Sequence, residues 1–215
     1  MRFRLSALVL AVLLLSSPLA RPGGETIPAA IASKVRSHYG PLSTVRRIVV
    51  MHDSILDRYL GKRQVLAVDL FRPRKAGREI TYHMGIREDD RLSFLDTEPQ
   101  VRAFVGRLGL RVVGEVAALE LADLYCRLRR IDLVRTSADV EVAVRRVNRH
   151  GEQACAGEKG VRAPVVESKG SGYRVTLFAV VDPFIGSLQQ IAIEVSTTGG
   201  LSVSARWVCS RGGYD

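Results

Sequence analysis

Three stretches in the last third of the chain decide the fold: YRVTLFAVV at residues 173–181, QQIAIEV at 189–195 and LSVSARWVC at 201–209. In each of them every second residue is apolar, and the connecting segments DPFIGS and TTGG are short and contain Gly or Pro. Strict alternation between short turns predicts an antiparallel meander with one buried face and one solvated face. A further short strand is predicted in RAPVVES, at 162–168, and DVEVAVRRV, at 139–147, is a strand candidate.

The segments upstream of the meander supply helices that can cover its apolar face. AALELADLYCRLRR, at 117–130, has helical apolar spacing, and EPQVRAFVGRLG, at 98–109, predicts a second helix that begins after Asp96 or Thr97. Residues 26–40 predict another helix, which ends at Gly40. The buried stripe of the 117–130 helix is expected at Leu121, Leu124, Tyr125 and Leu128.

Residues 43–86 predict a helix followed by a hairpin. Val45, Ile48 and Val49 share one side of a helical wheel, so we expect a helix over 44–60 with Ser43 as its cap. RQVLAVDLF, at 63–71, and ITYHMGI, at 80–86, are strand-like and flank the basic turn region RPRKAGRE. LRVVGEV, at 110–116, is ambiguous and allows a short strand, and residues 87–100 are expected to be a polar link.

These elements together predict an α+β, two-layer fold in which N-terminal helices and a β-hairpin pack on a C-terminal antiparallel meander. We expect one domain over residues 21–215, with a helix-rich basic part at 21–135 and a sheet part at 136–215.

The N-terminus has the pattern of a secretory signal. Arg2 and Arg4 precede the apolar run 7–15, which Ser and Pro residues interrupt before Ala20. A run of this length is too short to cross a bilayer, and no later segment is long and apolar enough to do so. We therefore expect residues 1–20 to be a signal peptide and the protein to be exported, to the periplasm or the medium.

The positive charge is concentrated in one part of the chain. Residues 21–150 carry 24 Lys and Arg against 16 Asp and Glu, whereas residues 151–215 carry six of each. Arg72, Arg74, Lys75 and Arg78 lie within seven residues of the turn region and are the predicted anionic-ligand site. Arg exceeds Lys by 27 to 5, so GC-rich codon usage is a second explanation of the charge.

The three cysteines fall in different contexts. Cys126 lies on the apolar side of the 117–130 helix and is expected to be a buried thiol. Cys155 lies in a predicted loop and Cys209 at a strand end, so in an oxidising compartment we expect a Cys155–Cys209 disulfide, with Cys126–Cys155 as the alternative.

No strong catalytic or metal motif is found, which leaves three functional hypotheses. His83 with Asp89 and Asp90 is the best metal-like group, but its spacing matches no ligand pattern, and we predict no metal, cofactor or catalytic residue.

The leading hypothesis is a non-catalytic binding protein of the cell envelope or secretome, whose partner is an anionic surface (lipid headgroup or polysaccharide) or another envelope protein. Nucleic acid is not favoured, because aromatic residues are not interleaved with the basic ones. The alternatives are a lipid or small-molecule carrier with a pocket between helices and sheet, and an exported hydrolase without a recognisable motif.

Overall fold

The computed structural model describes residues 27–40, 43–74, 77–136, 138–139, 162–181 and 187–209. Within these ranges the chain forms four helices and two antiparallel sheets. The helices are α1 Ala29–Tyr39, α2 Ser54–Leu60, α3 Glu98–Arg107 and α4 Glu115–Leu128. The strands are β1 Thr44–Met51, β2 Gln64–Arg74, β3 Gly77–Glu88, β4 Arg91–Phe94, β5 Asp132–Val134, β6 Val165–Lys169, β7 Gly172–Val181, β8 Ser187–Ser196 and β9 Leu201–Cys209.

The first sheet has the strand order β1-β2-β3-β4, and the second has the order β5-β7-β8-β9, with β6 also paired to β7. The fold is therefore α+β and two-layer, with N-terminal helices and a C-terminal meander, as the alternation in the last third predicts. Ile191, Ile193 and Val195 of β8 are buried, as expected for the apolar face. The predicted hairpin and the short strand near residue 165 are confirmed.

The prediction of one helix over 44–60 is wrong for its first half, which is strand β1. A β-bulge between Val45 and Arg47 shifts the register of β1 against β2 by one residue. As a result Val45 and Ile48, three positions apart, pack on the same side of the sheet, beside Val35 of α1. A spacing of three is typical of a helix, so the bulge gives this strand the apolar spacing of a helix.

The polar link expected at 87–100 contains a strand. Arg91–Phe94 forms β4, which pairs with β3 and makes the hairpin part of a four-stranded sheet. The ambiguous stretch 110–113 forms neither helix nor strand, and α4 begins after Gly114. The predicted signal peptide lies outside the described residues, which begin at residue 27. The strand candidate at 139–147 lies outside them except for Asp139, because residues 140–161 are not described.

Helix α4 is the centre of the main core. Its expected stripe of Leu121, Leu124, Tyr125 and Leu128 is confirmed, because each of these residues is at most 2% exposed. The same hydrophobic cluster contains β7 and β8 residues of the second sheet, such as Leu177, and residues of β2 and β3 in the first sheet. Burial of apolar surface around α4 therefore joins both sheets in one core.

Candidate anion-binding site

The hairpin of β2 and β3 extends beyond the buried part of the first sheet. Leu70 is fully buried, whereas Arg72, two residues further along the same side of β2, is exposed. The backbone pairing continues from Arg72 opposite Glu79 to Arg74 opposite Gly77. We call residues 72–79 the basic ribbon. Of the four residues of the predicted anionic-ligand site, the structure describes the side chain of Arg72 and only the backbone of Arg74 and Arg78. Lys75 lies outside the described residues.

The bulge in β1 gathers two consecutive arginines on one side of the first sheet. Successive residues of a regular strand point to opposite faces, but a bulge re-aims one of them. Arg47 pairs with Asp69 across the ladder, and the Arg46 guanidinium lies 5.4 Å from the centroid of the Phe71 ring. Asp69 and Phe71 are two apart on β2 and share a face, so both arginines lie on that face.

Asp69 is a buried carboxylate held between two arginines. It is 4% exposed, and it accepts hydrogen bonds from Arg47 Nε at 3.1 Å and from Arg130 Nη1 at 3.0 Å. A buried charge is tolerated when it is paired and hydrogen-bonded, and here each carboxylate oxygen has its own guanidinium. Asp69 therefore holds two arginines, from distant parts of the chain, close together.

Arg130 adopts a backbone conformation that usually belongs to glycine. It follows the C-terminus of α4 with φ of 54°, and Ile131 N donates to Cys126 O at 2.9 Å in the closing turn. Glycine is common at this position of a helix C-terminus, and another residue there costs on the order of 1 kcal/mol. In this conformation the Arg130 guanidinium lies 4.5 Å from the centroid of the Tyr82 ring, and its bond to Asp69 and this cation–π contact offset the strain.

We call Arg46, Arg47 and Arg130, with Asp69 and Tyr82, the arginine face. Three guanidinium groups and one carboxylate give it a formal charge of +2 at the base of the basic ribbon. The Arg47 side chain is 63% exposed and Tyr82 is 54% exposed, so the groups are held by the fold and still reach solvent. Guanidinium groups donate in a fork that matches phosphate, sulfate and carboxylate oxygens.

The arginine face could not be predicted from the sequence. Residues 46–47, 69, 82 and 130 are far apart in the chain, and only the bulge and the end of α4 bring them together. The one local signal is the spacing of three between Val45 and Ile48 around the two arginines, and this spacing predicts a helix.

A second polar cluster lies on the opposite side of the first sheet, under the C-terminal end of α1. Asp96 accepts hydrogen bonds from His38 Nε2 at 2.8 Å, Tyr39 Oη at 2.7 Å and His83 Nδ1 at 2.8 Å. The His38 ring stacks on Phe94 with 3.5 Å between centroids. We call these residues the Asp96 cluster; it attaches the end of α1 to β3 and β4.

The Asp96 cluster shifts the pKa values of two of its members. Burial raises the pKa of Asp96, but the hydrogen bonds from His38, Tyr39 and His83 outweigh burial and hold it below its usual value. Burial, and then the bond to the Asp96 carboxylate, raise the pKa of Tyr39 well above its usual value. A chain of bonds also runs from Thr81 Oγ1, 3.2 Å from His83 Nε2, through His83 to Asp96. This is the order of a catalytic triad, but Asp96 binds two further groups of α1, which is the arrangement of a structural attachment.

The metal-like grouping of His83 with Asp89 and Asp90 does not form. His83 bonds to Asp96 and Thr81, while the Asp89 and Asp90 backbone carbonyls accept from Arg87 and Lys34. Among the residues that the structure describes, no three His, Cys, Asp or Glu side chains are placed to hold a metal ion.

Cys126 is a free thiol that is fully buried on α4, as expected. Burial raises its pKa, so the thiol stays protonated and is a poor nucleophile. Cys155 lies outside the described residues and so does the side chain of Cys209, and the disulfide between them stays a prediction.

An open depression of about 570 Å³ lies at the end of the second sheet, between the β6–β7 and β8–β9 turns. Tyr173 and Leu201 contribute apolar surface, and the charged lining residues Lys169 and Glu194 pair with each other.

None of the described helices combines the length and the apolar character that a membrane crossing requires.

The fold and the site define a class: an α+β protein with two antiparallel sheets and an arginine-rich face supported by a buried carboxylate. Comparison with protein-family models, curated proteins and solved structures gave no match to this chain.

Proposed function

We propose that this chain is an exported, non-catalytic protein that binds an anionic partner through the arginine face and the adjoining basic ribbon. The observation that carries the proposal is the β1 bulge, which turns Arg46 to the same side as Arg47 and Arg130. Asp69 offsets one of the three positive charges, and the remaining charge of +2 attracts an anion from outside the chain. Export is inferred from the N-terminal signal pattern.

The fixed geometry of the arginine face supports binding. Arg47 and Arg130 are ordered by Asp69, and Arg130 is ordered again by Tyr82. Side chains that are already ordered lose less conformational entropy on binding, so each contact contributes more to affinity. The excess of basic residues in 21–150 adds long-range attraction to an anionic surface.

The partner that fits is an anionic lipid headgroup or an acidic polysaccharide, which both present several oxyanions on a surface. Nucleic acid is not favoured, because aromatic residues are not interleaved with the basic ones and Arg130 already occupies one face of the Tyr82 ring. A carrier with a pocket between helices and sheet is not favoured either, because side chains such as Leu124 and Leu177, which are fully buried, fill the space between α4 and β7.

The first test reverses one charge on the arginine face and one elsewhere. Arg46→Glu leaves the Asp69 pairs intact, and Arg107→Glu at the exposed end of α3 is the matched control. One Lys or Arg near an anionic membrane contributes about 1 kcal/mol, so Arg46→Glu, a change of two charges, should weaken binding to phosphatidylserine vesicles roughly thirtyfold. The control should lose only a few-fold. Heparin retention, measured in parallel, separates a lipid headgroup from a polysaccharide.

A second variant tests the basic ribbon that the sequence predicts. Substitution of Arg72, Arg74, Lys75 and Arg78 by Ala removes four charges, and a control with Ala at the exposed Arg36, Arg91, Arg107 and Arg111 removes the same number. We expect a much larger loss of binding for the ribbon variant, and wild-type binding should fall steeply with salt. Absence of binding to both vesicles and heparin at low salt, or equal losses in the two variants, contradicts the proposal.

A further inference from the structure

Among the residues that the structure describes, strand β9 leaves one edge of the second sheet unpaired. It is the last strand in the sheet order, and in the described part of the chain it pairs with β8 alone. Residues 204–208 are exposed, and Trp207 is 58% exposed. Natural edge strands are usually protected by Lys, by Pro or by a charge on the apolar face. LSVSARWVC has neither Lys nor Pro, and its one charged residue, Arg206, lies on the polar face, where it donates to Gln190 of β8.

The exposed strand is complementary to a second copy of itself. Its regular stretch runs from Leu201, after the turn, to Trp207, where a bulge interrupts the pairing with β8, and Ser204 is its centre. When two copies of a strand pair in antiparallel fashion about a two-fold axis, each residue faces a residue of the other copy. A residue that precedes the central position by a given number of positions faces the residue of the other copy that follows it by the same number. An axis at Ser204 therefore sets Leu201 of one copy against Trp207 of the other.

We propose that two copies of this chain associate by antiparallel pairing of their β9 edges, so that the second sheet continues across a two-fold axis. The pairing keeps the apolar residues Leu201, Val203, Ala205 and Trp207 on one face. It sets Arg206 opposite Ser202, so like charges do not oppose each other directly. It also places the exposed Ala205 and Trp207 of one copy beside Val203 and Leu201 of the other, which pack against the core cluster.

The association is expected to be reversible and moderately weak. Seven paired residues span roughly 24 Å of strand edge, and such a contact is at the small end of specific interfaces, which bury about 800 Å² per partner at standard size. We expect a dissociation constant on the order of micromolar, as for a weak and reversible contact, with the main-chain hydrogen bonds and the two Leu–Trp pairs as the sources of affinity.

The chain carries its own probe of this contact, because Trp207 is its one tryptophan. The mature chain should change from monomer to dimer in sedimentation equilibrium as its concentration rises through the micromolar range. The tryptophan emission should move to shorter wavelength over the same range, since Trp207 leaves water. A monomeric mass at every concentration, or a dimer that leaves the emission unchanged, overturns the proposal.

A pair of lysine variants tests the edge itself. Ala205→Lys puts a charge on the exposed apolar side of β9, which is how natural edges prevent pairing, and should weaken association at least tenfold. Val116→Lys, at a residue of α4 that is 73% exposed, is the control and should associate as the wild type does. Thermal unfolding verifies that both variants fold. A folded Ala205→Lys variant that dimerises like the wild type overturns the proposal.

Discussion

At the residue scale, two buried or half-buried carboxylates organise the polar side chains of the first sheet. On one side of the sheet, Asp69 accepts hydrogen bonds from Arg47 and Arg130. On the other side, Asp96 accepts hydrogen bonds from His38, Tyr39 and His83. Each satisfies donors that come from elements distant in sequence, and leaving those donors unpaired would cost free energy. The two aspartates therefore contribute to both the position of α1 and the shape of the arginine face.

Asp96→Asn is expected to lower the free energy of unfolding by about 2–3 kcal/mol at pH 7, because three hydrogen bonds to an ionised group are weakened. The pKa of Asp96 is lower in the folded than in the unfolded protein, so its contribution is present above the unfolded value and is lost as the pH falls through the folded one. Urea unfolding of wild type and variant should give curves whose difference is constant near neutral pH and shrinks below about pH 4.

Asp90→Asn, in the exposed turn after β3, is the control for this measurement and should stay within about 0.5 kcal/mol of wild type. A difference between wild type and Asp96→Asn that grows toward acid pH would show that Asp96 is not the stabilised carboxylate.

At the scale of elements, α2 is a short helix whose start is set by one side chain. Asp53 Oδ1 accepts from Ile55 N at 2.9 Å as the N-cap, and its other oxygen pairs with Arg127 of α4. Tyr59 Oη donates to Glu120 of α4 at 2.5 Å. A seven-residue helix has little stability of its own, so these contacts and the burial of Leu56 and Leu60 hold it in place.

Asp53→Ala should destabilise the protein by about 1–2 kcal/mol, since it removes the N-cap together with the Arg127 partner. Asp53→Asn keeps a capping oxygen and loses only the charge, so its loss should be smaller. Denaturant unfolding of both variants, with Asp57→Ala in the exposed side of α2 as control, measures the two contributions. Equal losses for Asp53→Ala and Asp53→Asn would mean that the cap contributes nothing.

At the scale of the whole molecule, α4 links the two sheets in a single hydrophobic cluster. Seven of its residues are buried, and the cluster includes Met84 of β3 as well as Ile193 of β8. A core that is shared between two sheets predicts that neither sheet keeps its packing when the other unfolds.

Native-state hydrogen exchange should therefore give the slowest amides of both sheets the same opening free energy. Met84 in β3 and Ile193 in β8 are suitable reporters, because both belong to the shared cluster and lie in paired strands. Opening of Met84 at a free energy several kcal/mol below that of Ile193 would contradict the prediction and define the first sheet as a separate unit.

The parts of this protein that depend on local periodicity could be predicted from its amino-acid sequence. Alternation with a period of two identified β7, β8 and β9, helical spacing identified α3 and α4, and the surroundings of Cys126 identified a buried thiol. The tertiary structure alone decided where β1 lies and which arginines share a face, because a bulge changes the direction of a side chain without changing composition. The same holds for Asp69 and Asp96, whose hydrogen-bond partners lie up to 61 and 58 residues away and meet only when the strands and helices pack.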